Sequence, residues 1–415
     1  MVIVDELRAL DRNQRAAFIA SFLGWALDAF DFFLLTFVIK DIATDFGVAI
    51  SRVSTAIVLT LVARPIGAFI FGRLADRFGR RPVLMVDVVL YSALALASAF
   101  SPNVTVLLVF RFLFGVAMGG EWGIGSSLAL ETVPAKSRGV VSGILQEGYP
   151  VGFFLAALAN LLLPTIGWRG MLALGVLPAL LILYVRRDVQ ESPAWEAQRQ
   201  AARGKRPSLR QALKGQWGRF IYVVVLMTCF NYFSHGTQDL YPTFLRVQHG
   251  FGAGMVTALT MILNVGAIVG GLIFGPLSEK IGRRRAIVIA ALLALPIIPL
   301  WSQASSPLLL ALGAFLIQVA VQGAWGVVPA HLNELSPPNV RGTFPGFAYQ
   351  LGNLFAAGNA VLQARIAESH GNNYGLALAV TCGIVAVLLA LVTAFGPEAK
   401  GVSFVADGTR PGPAD

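Results

Sequence analysis

Charge is the first thing this chain lacks. Of 415 residues only 13% are Asp, Glu, Lys or Arg, against roughly a quarter in an ordinary soluble protein. That shortage, with 56% hydrophobic residues and a mean hydropathy of +0.70, excludes a soluble globular domain. Cysteine is scarce too. Cys229 and Cys382 both lie in apolar segments and read as core packing, which excludes a disulfide framework. There are four histidines, and His249, His331 and His370 stand apart from His235, so no metal-ligand cluster is expected. No phosphate-binding loop, nucleophile elbow or zinc helix occurs, so neither a cofactor nor a catalysed reaction is expected. The N-terminal "MVIVDELRALDRNQR" precedes an apolar run without a clear small-residue cleavage site and is not read as a secretory signal.

What is present is a series of apolar runs near the ~20 residues that span a bilayer. Six are expected near 16–39, 52–72, 83–101, 104–128, 138–162 and 168–187, and six more near 219–246, 253–275, 286–303, 308–332, 341–365 and 373–396. They do not alternate apolar with polar, which excludes a membrane barrel. The expected fold class is an all-α membrane protein of twelve transmembrane helices. Residues 188–218 read as a basic, partly helical cytoplasmic linker along the membrane surface, and 397–415 as a disordered polar tail. The net charge of +10 is assigned to membrane orientation, and no nucleic-acid partner is expected. With the N-terminus inside, cytoplasmic segments hold 25 of the 32 Lys and Arg and outer segments five. That asymmetry places both termini in the cytoplasm of a plasma (inner) membrane protein.

The two halves repeat. "GRLADRFGRR" begins at Gly72 and "GPLSEKIGRR" at Gly275, an offset of 203 that also carries Trp122 onto Trp325, Glu131 onto Glu334 and Arg138 onto Arg341. Chance matching of small residues does not produce shared Trp, Arg and acidic positions. Residues 1–187 and 219–396 are therefore expected to form two pseudo-symmetric six-helix bundles, with substrate at their interface near mid-bilayer. Nearly the whole chain resembles a major facilitator superfamily transporter, whose signature loop "GRLADRFGRR" matches, with a degenerate copy in the second half. The resemblance implies alternating access, with a cytoplasmic latch made by Gly72, Asp76, Arg77, Gly79 and Arg80 and by Glu279 and Arg283. Physically, Asp76 can accept from a helix N-terminus, and Gly72 and Gly79 permit tight turns.

The repeat also isolates charges that a scaffold does not need. The same offset turns Asp28 into Asn231, Arg64 into Ala267, Arg111 into Ala314, Glu121 into Ala324 and Glu147 into Gln350. Arg64 sits about 12 Å from the inner end of its helix at 1.5 Å per residue, deep enough to need a partner or a wet cavity. Its planar fork suits a carboxylate. Asp28 and Asp31 lie on adjoining turns, and the bland alternative is a structural Arg64–Asp pair.

The stretch "NYFSHGTQDLYPTF" from Asn231 is polar inside an apolar run. At 100° per residue Asn231, Ser234, His235, Gln238 and Asp239 fall within an arc of about 140°. One wet face on a membrane helix reads as a cavity lining, the alternative being an interhelical polar patch. His235 and Asp239, at i and i+4, can share a hydrogen bond and pass a proton. The stretch resembles the signature of the lactate/pyruvate:proton symporters of yeast type, through Asn231, Ser234, His235, Gln238, Asp239 and Thr243. That resemblance ties His235 and Asp239 to proton coupling and substrate handling, and an N-half Arg and a late Gln to substrate; Arg64 and Gln350 are the matches by helix position. "WALDAFDFF" and "RFLFGVAMGGEWG" also resemble sialic-acid and aromatic-acid:proton symporters.

The expectation is a proton-coupled symporter of a small monocarboxylate such as lactate or pyruvate, probed by Arg64, Asn231, His235, Gln238 and Gln350. His235, Asp239, Asp28 and Asp31 are the proton-coupling candidates. The alternatives are a larger sialic or aromatic acid, or a transporter-like nutrient sensor. The expected partners are the acid, a proton and the lipid bilayer, with the chain a monomer.

Overall fold

The computed structural model describes residues 2–201 and 214–404, and helices and short turns are the only regular elements among them. The first half runs through α1 (Val2–Ala9), α2 (Arg12–Asp45), α3 (Ile50–Phe78), α4 (Arg80–Ala99) and α5 (Val104–Met118). It continues through α6 (Glu121–Thr132), α7 (Arg138–Gln146), α8 (Gly148–Ala159), α9 (Leu163–Ala173) and α10 (Leu181–Asp188). Linker helix α11 (Pro193–Ala201) follows. The second half contains α12 (Trp217–Gln238), α13 (Tyr241–Val247), α14 (Ala253–Ile281), α15 (Arg283–Ser302) and α16 (Pro307–Leu335). It ends with α17 (Phe344–Ala356), α18 (Asn359–Ser369) and α19 (Tyr374–Ala394).

Local chemistry sets these boundaries. Asp11 starts α2 with a reciprocal cap, its side chain accepting the Gln14 N–H while the Gln14 side chain accepts the Asp11 N–H. The α3–α4 and α14–α15 breaks fall on Gly79 (φ 109°) and Gly282 (φ 99°), backbone conformations that disfavour any residue with a Cβ. Among the described residues ten segments are long and apolar enough to cross a membrane. One of them, Ala135–Asp188, has 54 residues, about 80 Å if straight, and it folds back at Gly167 (φ 64°, ψ 178°). The expected run 341–365 is divided between α17 and α18 and is not among the ten.

Helix faces follow the membrane rule. On α3, Val58, Val62, Ile66 and Ile70 form an exposed aliphatic row, while Ala56, Thr60, Ala63 and Gly67 are buried. An exposed row like this suits hydrocarbon, and small residues let neighbouring backbones approach. Within the halves α2 packs on α8, α3 on α5 and α14 on α16; across them α7 meets α14 and α16, and α3 and α6 meet α17. Leu10 and Phe404 share one apolar cluster, so both described ends of the chain lie at the same end of the molecule.

At that terminal end the halves are closed together. Backbone meets backbone at Gly143–Gly271 and at Gly123–Gly346, where a Cβ on Gly123 would stand 2.8 Å from the Gly346 Cα. Asp76 accepts the Gly342 N–H at 2.7 Å and the Thr343 hydroxyl at 2.6 Å. The repeat-related Glu279 accepts the Gly139 N–H. Arg80 donates Nε and Nη2 to the two oxygens of Glu131 at 3.0 and 2.9 Å, and Arg283 does the same to Glu334 at 2.9 and 3.1 Å. Arg341 then reaches across to Glu131 at 3.5 Å, and Arg138 to Glu334 at 3.7 Å. Removing one partner of such a buried pair costs about 3–5 kcal/mol.

Two expectations need correction here. Arg77 is exposed with its guanidinium over the ring of its neighbour Phe78, and among the described residues it makes no hydrogen bond or ion pair across the seam. Residues 397–404, expected to be disordered, are mostly exposed but tied down at two points: the Glu398 side chain accepts the Arg284 N–H, and the buried Phe404 ring lies 3.5 Å from the Arg138 guanidinium and 3.9 Å from that of Arg341. A buried aromatic between two cations outweighs the polar composition around it. The remaining tail, 405–415, and linker residues 202–213 lie outside the described residues.

Candidate functional site

Between the halves, beyond the closed seam, lies a cavity of about 660 Å³. Its two walls differ in balance, the first half mainly apolar and the second mainly polar. The first half supplies Trp25, Phe32, Phe33, Ile57, Leu61, Tyr149 and Phe153, with Thr36, Arg64 and Gln146 among them. The second half supplies Asn231, Ser234, His235, Gln238 and Asp239 from α12 and its C-cap, Thr260 and Asn264 from α14, Gln322 from α16, and Tyr349 and Asn353 from α17, with Tyr241, Pro242, Leu263, Trp325 and Ala360 among them. Such a mixture of aromatic surface and a few convergent polar groups is typical of small-molecule sites.

Arg64 sits at the wall with its side chain 5% exposed. Its Nη2 lies 3.8 Å from Asp28 Oδ2, too long for a hydrogen bond. The same Nη2 is 2.9 Å from the Met118 sulfur, a weak acceptor, and the guanidinium lies 5.3 Å from the Phe32 ring centroid. The Nε is buried without a partner. Arg64 is thus balanced in charge but has donor capacity to spare. A carboxylate arriving in the cavity could use it.

Across the cavity, His235 Nδ1 lies 3.1 Å from Asp239 Oδ1, and Nε2 lies 3.1 Å from the Asn353 side-chain oxygen. Two oxygen acceptors are satisfied together only when both ring nitrogens carry hydrogen, or when the Asn353 amide turns to donate. The His235 and Asp239 side chains keep 35% and 36% exposure, so water reaches both. Around them the Gln238 amide donates to Gln318 at 3.0 Å, and Gln322 donates to Ser234 at 3.1 Å. Asn231 is anchored by its amide to the Met227 carbonyl at 2.8 Å.

The cavity brings together Arg64, Asn231, His235, Gln238 and Asp239 and leaves out three other sequence candidates. Gln350 is buried with an unpartnered Oε1 and does not line the cavity. A helix turns 100° per residue, and α17 presents Tyr349 and Asn353 instead. Asp28 is buried behind Arg64. Asp31 is buried too, with neither carboxylate oxygen hydrogen-bonded, and the ion pair of Arg64 is with Asp28. Asn353, Asn264, Gln322 and Tyr149 are lining residues that sequence reasoning missed. The repeat held a signal for one of them, Asn264, which pairs with Leu61 at the offset of 203; Ile57 with Thr260 and Gln146 with Tyr349 are further pairs whose members both line the cavity.

The model of the Major Facilitator Superfamily matches residues 21–357 and again 240–408. The chain is 29% identical to the "Carboxylic acid transporter protein homolog" of Saccharomyces cerevisiae over 88% of its own length, and spans 64% of that protein. It is also 29% identical to the sialic acid transporter NanX of Escherichia coli, over 91% of this chain and 93% of the relative. Among solved structures it is similar to the proton:xylose symporter XylE, with a TM-score of 0.77 at 21% identity, covering 94% of this chain and 97% of the other. That last likeness speaks for the fold alone.

Proposed function

The chain belongs to the Major Facilitator Superfamily of membrane transporters and is not an enzyme, and from that premise we propose that it is a proton-coupled symporter of an organic acid. The observation that carries the reading is the cavity between the halves, where Arg64 has spare donors and stands opposite the His235–Asp239 pair. Arg64 takes the carboxylate, His235 and Asp239 handle the proton, and Asn231, Gln238 and Asn353 orient the acid. Asp28 balances Arg64 when the site is empty. We assign twelve crossings, counting two passes in Ala135–Asp188 and one in α17 with α18, with both termini cytoplasmic and a monomer as the working unit.

The size of the cavity bears on the substrate. About 660 Å³ falls within the ~300–1,000 Å³ of sites that hold drug-sized ligands, and a three-carbon acid leaves most of it empty. The aromatic wall offers an apolar face for the body of a larger acid. We therefore favour a sialic-type or aromatic acid, in keeping with the similarity to NanX. Lactate or pyruvate is the second reading, favoured by the complete motif from Asn231 to Thr243.

The test is uptake into proteoliposomes under an imposed inward proton gradient, with labelled lactate, benzoate and N-acetylneuraminate in parallel. Accumulation of benzoate or N-acetylneuraminate, abolished by an uncoupler, is expected. Accumulation of lactate alone selects the second reading. Binding of an acid without accumulation selects a sensor, and indifference to all three acids refutes the assignment.

A further inference from the structure

The seam that closes the terminal end contains a carboxylate that the cavity does not use. Glu147 stands at the break between α7 and α8, 4% exposed, with Oε1 buried and unpartnered. It lies against Gly271 of α14, where an added Cβ would overlap its carboxyl group. Gly271 is the residue it lies against, and the nearest neighbours of Gly271, Gly143 and Gly148 around it are uncharged apart from Glu147 itself. Those neighbours are Gly275 of α14 and Gly326 of α16 around Gly143 and Gly271, and Phe22, Trp25 and Ala26 of α2 beside Gly148. No described Lys, Arg or His forms an ion pair with it. The cations of the seam are committed elsewhere, Arg138 and Arg283 to Glu334 and Arg341 to Glu131.

An ionised carboxylate sealed against apolar helix backbone, without a cation, carries a desolvation cost that nothing here offsets. A neutral acid avoids that cost. The repeat supplies the comparison: the position equivalent to Glu147 is Gln350, also buried with an unpartnered Oε1. One half thus holds the permanently neutral isostere of what the other half can ionise.

We propose that Glu147 is a proton-binding site created by closure of the seam. The terminal side closes with the carboxylic acid intact. When α7 parts from α14, water reaches the group, the O–H bond breaks heterolytically and the proton passes to that water. Closing reverses the step. This rests on the alternating-access reading above, and it concerns the seam and not the proton that accompanies substrate. The sign follows by linkage: the closed state holds one proton more than the open one, so acid favours closure and rising pH favours opening. Between the two states' apparent pKa values the closed-to-open ratio falls up to tenfold per pH unit.

The experiment uses the full-length protein in lipid nanodiscs without substrate. Spin labels are placed at Lys136→Cys and Asn339→Cys, exposed equivalent positions of the two halves, with Cys229 and Cys382 replaced by alanine. In the otherwise unaltered protein the long-distance population is expected to grow as pH rises. In Glu147→Gln the short distance should persist at every pH. Glu147→Met, neutral and suited to an apolar seam, gives the same reading if the amide variant folds poorly. An unchanged pH response in both variants overturns the proposal and leaves the transporter reading intact. Absence of any long distance, even when the seam is weakened by Asp76→Asn, overturns both.

Discussion

The seam bonds of Asp76 allow a magnitude to be worked out before measurement. Across the seam Oδ1 accepts the Gly342 N–H at 2.7 Å and Oδ2 the Thr343 hydroxyl at 2.6 Å, while Arg80 and Arg73 of its own half lie 3.4 and 3.9 Å away in either state. Asp76→Asn keeps the shape and one oxygen, and the Thr343 hydroxyl can turn to accept from the new amide. What is lost is the charge. Two charge-assisted bonds of about 1.5–3 kcal/mol each become neutral bonds of about 0.5–1.5 kcal/mol. The closed state should lose about 2 kcal/mol, or about 30-fold in the closed-to-open ratio at 1.4 kcal/mol per decade. Glu279→Gln touches a single cross-seam N–H from Gly139 and should cost about half as much. Arg77→Gln is the control, because Arg77 is exposed and leans on its own neighbour Phe78. Distance distributions between labels at Lys136→Cys and Asn339→Cys read the ratio directly. An Asp76→Asn distribution equal to the unsubstituted protein's, or an equal shift in Arg77→Gln, would refute the reasoning.

Other substitutions separate the roles within the cavity. Arg64→Lys keeps the charge and loses the fork, so the acid that accumulates should bind with about 2 kcal/mol less free energy, near 30-fold weaker; competition binding checks this, and near-normal affinity would remove Arg64 from the carboxylate site. Asp239→Asn retains hydrogen bonding but cannot cycle a proton, so counterflow exchange should survive while uphill uptake under a pH gradient disappears; normal uphill uptake moves the proton elsewhere. Asn353→Leu should raise KM and change the pH profile, because it deprives His235 of a partner at 3.1 Å. Gln350→Met, outside the cavity lining, should leave KM unchanged, and the opposite pattern would return the substrate contact to Gln350.

How much of this could be read from sequence depended on whether the signal was periodic. The offset of 203 between the halves pairs Gly79 with Gly282 and Arg80 with Arg283, and the structure turns the chain and seats the guanidinium the same way at each. The face shared by Asn231, His235, Gln238 and Asp239 follows from helical spacing, and all four stand on the cavity wall. Gln350 was out of reach of that logic, because placing a residue by its depth along a helix leaves its rotation open. Phe404 was hidden for another reason. Composition within a short polar tail carries no trace of two arginines, Arg138 and Arg341, that meet its ring from both halves.

The two kinds of repeat-related position also divide the labour. Residues that pair charges in the seam are the same type in both halves: Arg80 and Arg283, Glu131 and Glu334, Arg138 and Arg341. Residues that line the cavity have diverged, mostly toward polar groups in the second half, with Gln146 and Tyr349 running the other way. Phe32, Ile57 and Leu61 on one wall correspond to His235, Thr260 and Asn264 on the other. A symmetric seam lets two bundles rock against each other about the same contacts. An asymmetric cavity gives a ligand two unlike faces, an apolar body and a polar edge. Arg64 breaks the apolar wall at one point, and its 3.8 Å separation from Asp28 is long for a pair meant only to hold two helices together. A closer bond would hold the guanidinium in place and use up its donors. At this distance Asp28 offsets the charge while the donors stay available, which is what an anion site between moving halves requires.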